Sequence, residues 1–81
     1  MTEDEIFDVV VGHTREILTE LADHQFIGAD SLRELGANSI DRAEIITMTL
    51  ESLSVSIPLV ELAGAKNIGE LVGVIHAKSR A

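Results

Sequence analysis

The chain has 81 residues, and 14 acidic against 6 basic side chains give it a formal net charge of −8. A balance this acidic, with no cluster of Lys and Arg, weighs against nucleic acid and anionic membranes as partners and makes basic protein surfaces the natural complement. There is no cysteine, which excludes a disulfide scaffold, a thiolate metal site and a cysteine nucleophile, so any thiol chemistry must come from an added group.

Apolar residues make up 46% of the chain, too many for a disordered acidic tail. The length suits one domain over residues 1–81. The N-terminal Met1–Glu5 is acidic with no long apolar run behind it, and no stretch of about 18 apolar residues follows anywhere. A cytoplasmic, monomeric protein is expected.

Thr2 and Glu5 have capping-box spacing. Beyond them Ile6, Val10, His13, Ile17 and Leu21 recur at steps of three and four, which predicts an amphipathic helix over residues 3–22. Asp4, Asp8, Arg15 and Glu16 occupy its other face. From Ala22 to Asn38 the period is lost, and Gly28, Asp30, Ser31 and Gly36 signal a long loop. Inside it, Asp30–Gly36 suits one short helical turn closed by glycine, and Leu32 and Leu35 suggest that it packs.

A second helix should start at Asn38 or Ser39, both good caps. At about 100° per residue, Ala43, Ile46, Leu50 and Leu53 fall on an expected core arc, with Asp41, Glu44, Met48 and Glu51 opposite. Pro58 opens a short helical segment expected over Leu59–Ala63, stopped at Gly64. Asn67 and Glu70 have cap and N3 spacing, and Ile68, Leu71, Val72 and Ile75 continue as a last helix over 67–78, with Lys78 and Arg80 near its C-terminal end. The fold class is therefore all-α: three main helices, one short helix and a long first loop.

His13, His24 and His76 are widely separated, and no zinc motif contains them. His13, on the apolar face of the first helix, reads as a partly buried structural imidazole, and the other two as surface residues. The 30–41 segment lacks the alternation of a calcium loop. Gly36-Ala37-Asn38-Ser39 has no glycine after the serine, so it is a poor nucleophile elbow. Two readings of Ser39 stay open on the residues alone. It is either an ordinary helix cap or an accessible hydroxyl at a helix N-terminus, where free N–H groups would suit an attached phosphodiester.

Leu35-Gly36-Ala37-Asn38-Ser39-Ile40-Asp41 resembles the L-G-x-D-S-L-D signature of acyl carrier proteins, and the similarity runs on through Glu44 and Ile57-Pro58 to the last helix. The resemblance implies a non-catalytic carrier. Ser39 would take 4′-phosphopantetheine from coenzyme A through a phosphopantetheinyl transferase, and acyl groups would ride on its thiol. Asp41, Glu44, Met48 and Glu51 share one arc of the helix that begins at Ser39, and with Ile40 they are the expected partner-binding residues. Asn38 and Ile40 depart from the usual Asp and Leu. With Ile57-Pro58-Leu59-Val60-Glu61-Leu62-Ala63-Gly64-Ala65-Lys66-Asn67-Ile68-Gly69-Glu70-Leu71, they give a pattern similar to the discrete donor carriers of polyketide β-branching cassettes. That subgroup implies an acetyl donor to an enzyme resembling hydroxymethylglutaryl-CoA (HMG-CoA) synthase, with acyl-loading or decarboxylating enzymes of a polyketide pathway as further partners. A carrier for fatty acid or other secondary-metabolite synthesis is the alternative within the class. An unmodified helical adaptor is the alternative outside it.

Overall fold

Thr2 begins the chain's first helix as expected from its spacing to Glu5. Its hydroxyl accepts from Glu5 N at 3.1 Å and Glu5 Oε1 accepts from Thr2 N at 2.7 Å, closing a capping box. The computed structural model describes residues 1–79. Its elements are α1 (Glu3–Ile17), a 3-10 turn at Thr19–Leu21, α2 (Ser39–Leu53), a second 3-10 turn at Leu59–Glu61, and α3 (Ile68–Ser79). No strand occurs among the described residues, and the all-α reading holds. No helix among them is long and apolar enough to cross a membrane. Arg80 lies outside the described residues.

α1 stops at Ile17, five residues before the expected end. Leu18 leaves helical geometry (φ −108°, ψ 79°) and turns into the core, 5% exposed. The turn after it is fixed by Arg15, whose Nη2 donates to His24 O at 2.9 Å and whose guanidinium lies 5.1 Å from the Phe26 ring centroid. A helix continued to residue 22 would carry His24 and Phe26 away from that contact.

α2 starts at Ser39, one of the two expected positions, but is rotated from the predicted arc. Ile45, Thr49 and Leu50 are buried, with Ile46 and Leu53 half-buried beside them, whereas Ala43 is exposed. Thr49 was not recognisable as core because its residue type is polar. Its hydroxyl donates to Ile45 O at 2.8 Å, so no polar group is left unpaired when it is buried. Thr14 on α1 does the same, donating to Val10 O at 2.7 Å.

The short fourth element is a single 3-10 turn, Leu59–Glu61, rather than a helix reaching Ala63. Pro58 precedes it in extended conformation (ψ 135°), and its backbone bonds span three residues, Glu61 N to Pro58 O and Leu62 N to Leu59 O. α3 starts one residue after its Asn67 cap, whose Oδ1 accepts from Glu70 N at 2.7 Å.

The core joins Ile6 and Val10 of α1, Ile45 and Leu50 of α2, Leu62, and Ile68, Leu71, Val72 and Ile75 of α3. α1 packs against both other helices. Among the described residues, α2 and α3 bring no Cα pair within 8 Å of each other, and a groove separates them.

The long loop is fastened to that frame. Asp30 Oδ2 accepts from Ile27 N at 2.9 Å and pairs with His24 Nε2 at 3.0 Å. The His24 ring meets Phe26 edge-on at 4.7 Å. Two backbone N–H groups at the start of α3, those of Ile68 and Gly69, donate to Asp30 O at 2.9 Å and Gly28 O at 2.8 Å. The loop thus satisfies donors that a helix N-terminus otherwise leaves free.

Candidate functional site at the start of α2

The segment ahead of α2 is built to hold one residue still. Leu32–Gly36 forms the expected single turn. Gly36 N donates to Arg33 O and Ala37 N to Leu32 O, the bond pair of a Schellman closure, with Gly36 at φ 110° where a side chain would be strained. Ala37 is then buried, 3% exposed, and its carbonyl accepts from Arg42 Nη1 at 2.8 Å.

Asn38, not Ser39, caps the helix. Its backbone is extended (φ −78°, ψ −178°), its Oδ1 accepts from Asp41 N at 2.8 Å, and Asp41 Oδ2 accepts from Asn38 N at 3.2 Å. Ser39 is the first helical residue. It is exposed and takes no part in the cap bonds. The hydroxyl is therefore uncommitted to the helix start. The N–H groups of Ser39 and Ile40 lie in the first turn, where no carbonyl of the helix can reach them. An anionic group esterified to Ser39 would meet those donors and the positive end of the helix dipole.

The expected partner residues spread over two settings. Ile40 is 73% exposed, and Glu44 and Glu51 are exposed on the same side. Asp41 and Met48 are half-buried at the edge of that face, and Asp41 has its carboxylate engaged in the cap. Leu59 and Val60 are also exposed, at 43% and 79%. Their exposure was not readable from sequence, because Leu59, Val60 and Leu62 look alike until Leu62 alone is buried.

The three histidines stay apart. His13 bridges α1 to α2, with Nε2 2.7 Å from Ser52 Oγ and Nδ1 3.1 Å from Glu16 Oε1, the structural role expected of it. His24 and His76 are half-buried rather than on the surface. The first serves the loop, and the second faces Glu3 at 3.8 Å. Among the described residues no group of three or more His, Cys, Asp or Glu is placed to hold a metal ion.

Residues 11–75 match the family described as "Phosphopantetheine attachment site". The chain belongs to that family. It is an acyl carrier protein of the kind found in polyketide biosynthesis. One relative is the polyketide biosynthesis acyl-carrier-protein AcpK of Bacillus subtilis (strain 168), 54% identical over 78 residues, which are 96% of this chain and 95% of that protein. Among solved structures, the carrier is similar to a chain in the crystal structure of the curacin biosynthetic pathway HMG synthase in complex with acetyl donor-ACP. The TM-score is 0.92 at 49% identity, and the match covers 96% of this carrier and 100% of that chain.

Proposed function

We propose that the carrier takes 4′-phosphopantetheine on Ser39, through a phosphopantetheinyl transferase acting with coenzyme A, and serves as the acetyl donor to an HMG-CoA-synthase-like enzyme in polyketide β-branching. The likeness to a chain of the HMG synthase and acetyl donor-ACP complex supports this most directly. The exposed hydroxyl of Ser39, free of the cap and beside unused N–H groups, supports the attachment point.

In this reading residues 1–81 form one domain, acting as a cytoplasmic monomer with no nucleic-acid or membrane partner. The carrier performs no chemistry. It holds the acyl thioester at high effective concentration beside partner active sites. Acyl-loading or decarboxylating enzymes of the pathway act on the same arm. Partners approach over Ile40, Glu44 and Glu51, with Asp41 and Met48 at the margin.

Intact-mass measurement after incubation with coenzyme A and a broad-specificity transferase tests the first step. One phosphopantetheinyl group is expected on Ser39 and none on Ser39→Ala. The donor role is tested by offering the acetyl-loaded carrier to a synthase-like enzyme together with a β-ketoacyl group on an acceptor carrier. A branched product is expected. Acetyl retained on this carrier, while a control donor reacts, would remove the donor role and leave the attachment site standing.

A further inference from the structure

Arg42 is the basic residue nearest to Ser39 in the chain and lies in the first turn of α2. A cation so close to a helix N-terminus opposes the helix dipole, and among the described residues Arg42 forms no ion pair that would offset it. Its side chain is nonetheless half-buried and committed to one neutral group: Nη1 donates to Ala37 O at 2.8 Å.

The helix itself offers that carbonyl no partner. The N–H four residues on belongs to Asp41, and the Asn38 side chain already takes it. Among the described residues Ala37 O accepts from Arg42 alone. Ala37 is buried, so losing the bond would leave a buried acceptor unpaired.

The peptide unit that joins Ala37 to Asn38 is thereby held at both ends. Arg42 holds its oxygen, and Asp41 Oδ2 accepts from its N–H at 3.2 Å. Both grips come from α2, and Ser39 follows Asn38 directly. The cap bonds fix where the helix begins. The Arg42 bond fixes the rotation of the peptide that leads into it, and a turn of that peptide carries the Ser39 hydroxyl with it.

We propose that Arg42 is a positioning residue for the modification of Ser39: by holding Ala37 O it keeps the hydroxyl at one place on the docked carrier. The proposal rests on Ser39 being the attachment site. In that transfer Ser39 Oγ forms a bond to the β-phosphorus of coenzyme A, and the pyrophosphate bond breaks. Adenosine 3′,5′-bisphosphate leaves, and the hydroxyl proton passes to a base of the transferase. Arg42 acts on none of these atoms directly. A nucleophile displaced by about 1 Å loses up to about a hundredfold in rate, while the exposed face of Ile40, Glu44 and Glu51 still binds the partner.

The test follows transferase kinetics with the carrier as the varied substrate, for the parent, Arg42→Met and Arg42→Lys. Methionine keeps the apolar stem and removes the donor, and lysine restores a donor. Arg42→Met should lower kcat about tenfold and leave KM within about twofold, and Arg42→Lys should regain most of the loss. A merely structural role has another signature: a smaller folded fraction raises the apparent KM and leaves kcat intact. Amide exchange supplies a second readout. In Arg42→Met it should quicken at Ala37, Asn38 and Asp41, whose N–H groups are bonded in the parent, and keep the parent rate at Ile6 and Ile75. An unchanged kcat, a change confined to KM, a lysine variant as slow as the methionine one, or exchange quickened throughout the chain would overturn the proposal. A parent carrier that gains no phosphopantetheinyl group defeats the attachment reading itself, and the role of Arg42 falls with it.

Discussion

Two adjacent residues divide the work at the start of α2. Asn38 makes the cap bonds, and Ser39 contributes only an exposed side chain. Asn38→Ala should therefore cost about 1 kcal/mol, while Ser39→Ala should change stability by no more than about 0.5 kcal/mol yet abolish modification. Chemical denaturation of both variants checks the first pair of values. The sequence offered both residues as caps. The choice depends on which one is extended and which helical, and that is set by the closed turn at Gly36 and the burial of Ala37 upstream. Asp30 presents a second case at this scale. Its carboxyl titrates below the usual range because the Ile27 N–H, and after it His24, bond to it. With the folded value below the unfolded one of about 3.9, its contribution is complete above that pH and is lost as pH falls through the lower folded value. Asp30→Ala should be less stable than the parent at neutral pH, and the gap should close in strong acid. A series of denaturation curves from neutral to acid pH would show it.

The ends of the helices carry more information than their middles. α2 closes on Ser54 in left-handed conformation (φ 56°, ψ 40°), with Val55 N donating to Leu50 O at 3.0 Å. A serine pays a steric cost there that glycine avoids. Ser54→Gly should raise stability by up to about 1 kcal/mol, seen as a higher melting temperature with unchanged partner transfer. The capping boxes at Thr2 and the cap at Asn67 were legible because cap chemistry is local. The facing of α2 was not. Apolar counting placed Ala43 inward, but a methyl side chain is nearly indifferent to burial. It also passed over Thr49, whose hydroxyl is satisfied within its own helix. The early end of α1 was hidden for a different reason: the contact that turns the chain, Arg15 with His24 and Phe26, joins residues on the two sides of the break.

For the molecule as a whole, charge and packing pull apart. The net charge of −8 is carried partly by Glu44 and Glu51 on the exposed side of α2, while three of the six basic residues, Arg33, Arg42 and Lys66, line the groove between α2 and α3. Glu44→Lys should slow acetyl transfer to a synthase-like partner, and salt should slow it in the parent. Rates unchanged in both experiments would rule out this face as the docking surface. The long loop is held by a close backbone approach. A Cβ on Gly69 would lie 3.2 Å from Gly28 O, so Gly69→Val should destabilise by about 1–3 kcal/mol and free the loop, with faster amide exchange over residues 22–38. Nothing in the sequence pairs those two glycines, because the approach depends on how α3 docks.

α1 is the shared support for two helices whose backbones do not meet each other. What joins α2 to α3 is side-chain packing in the shared core alone, Ile45 and Leu50 with Ile68, Leu71, Val72 and Ile75. An excursion that loosens only that packing is expected to lie below global unfolding in free energy. Its signature would be amide exchange that is faster in α2 and α3 than in α1.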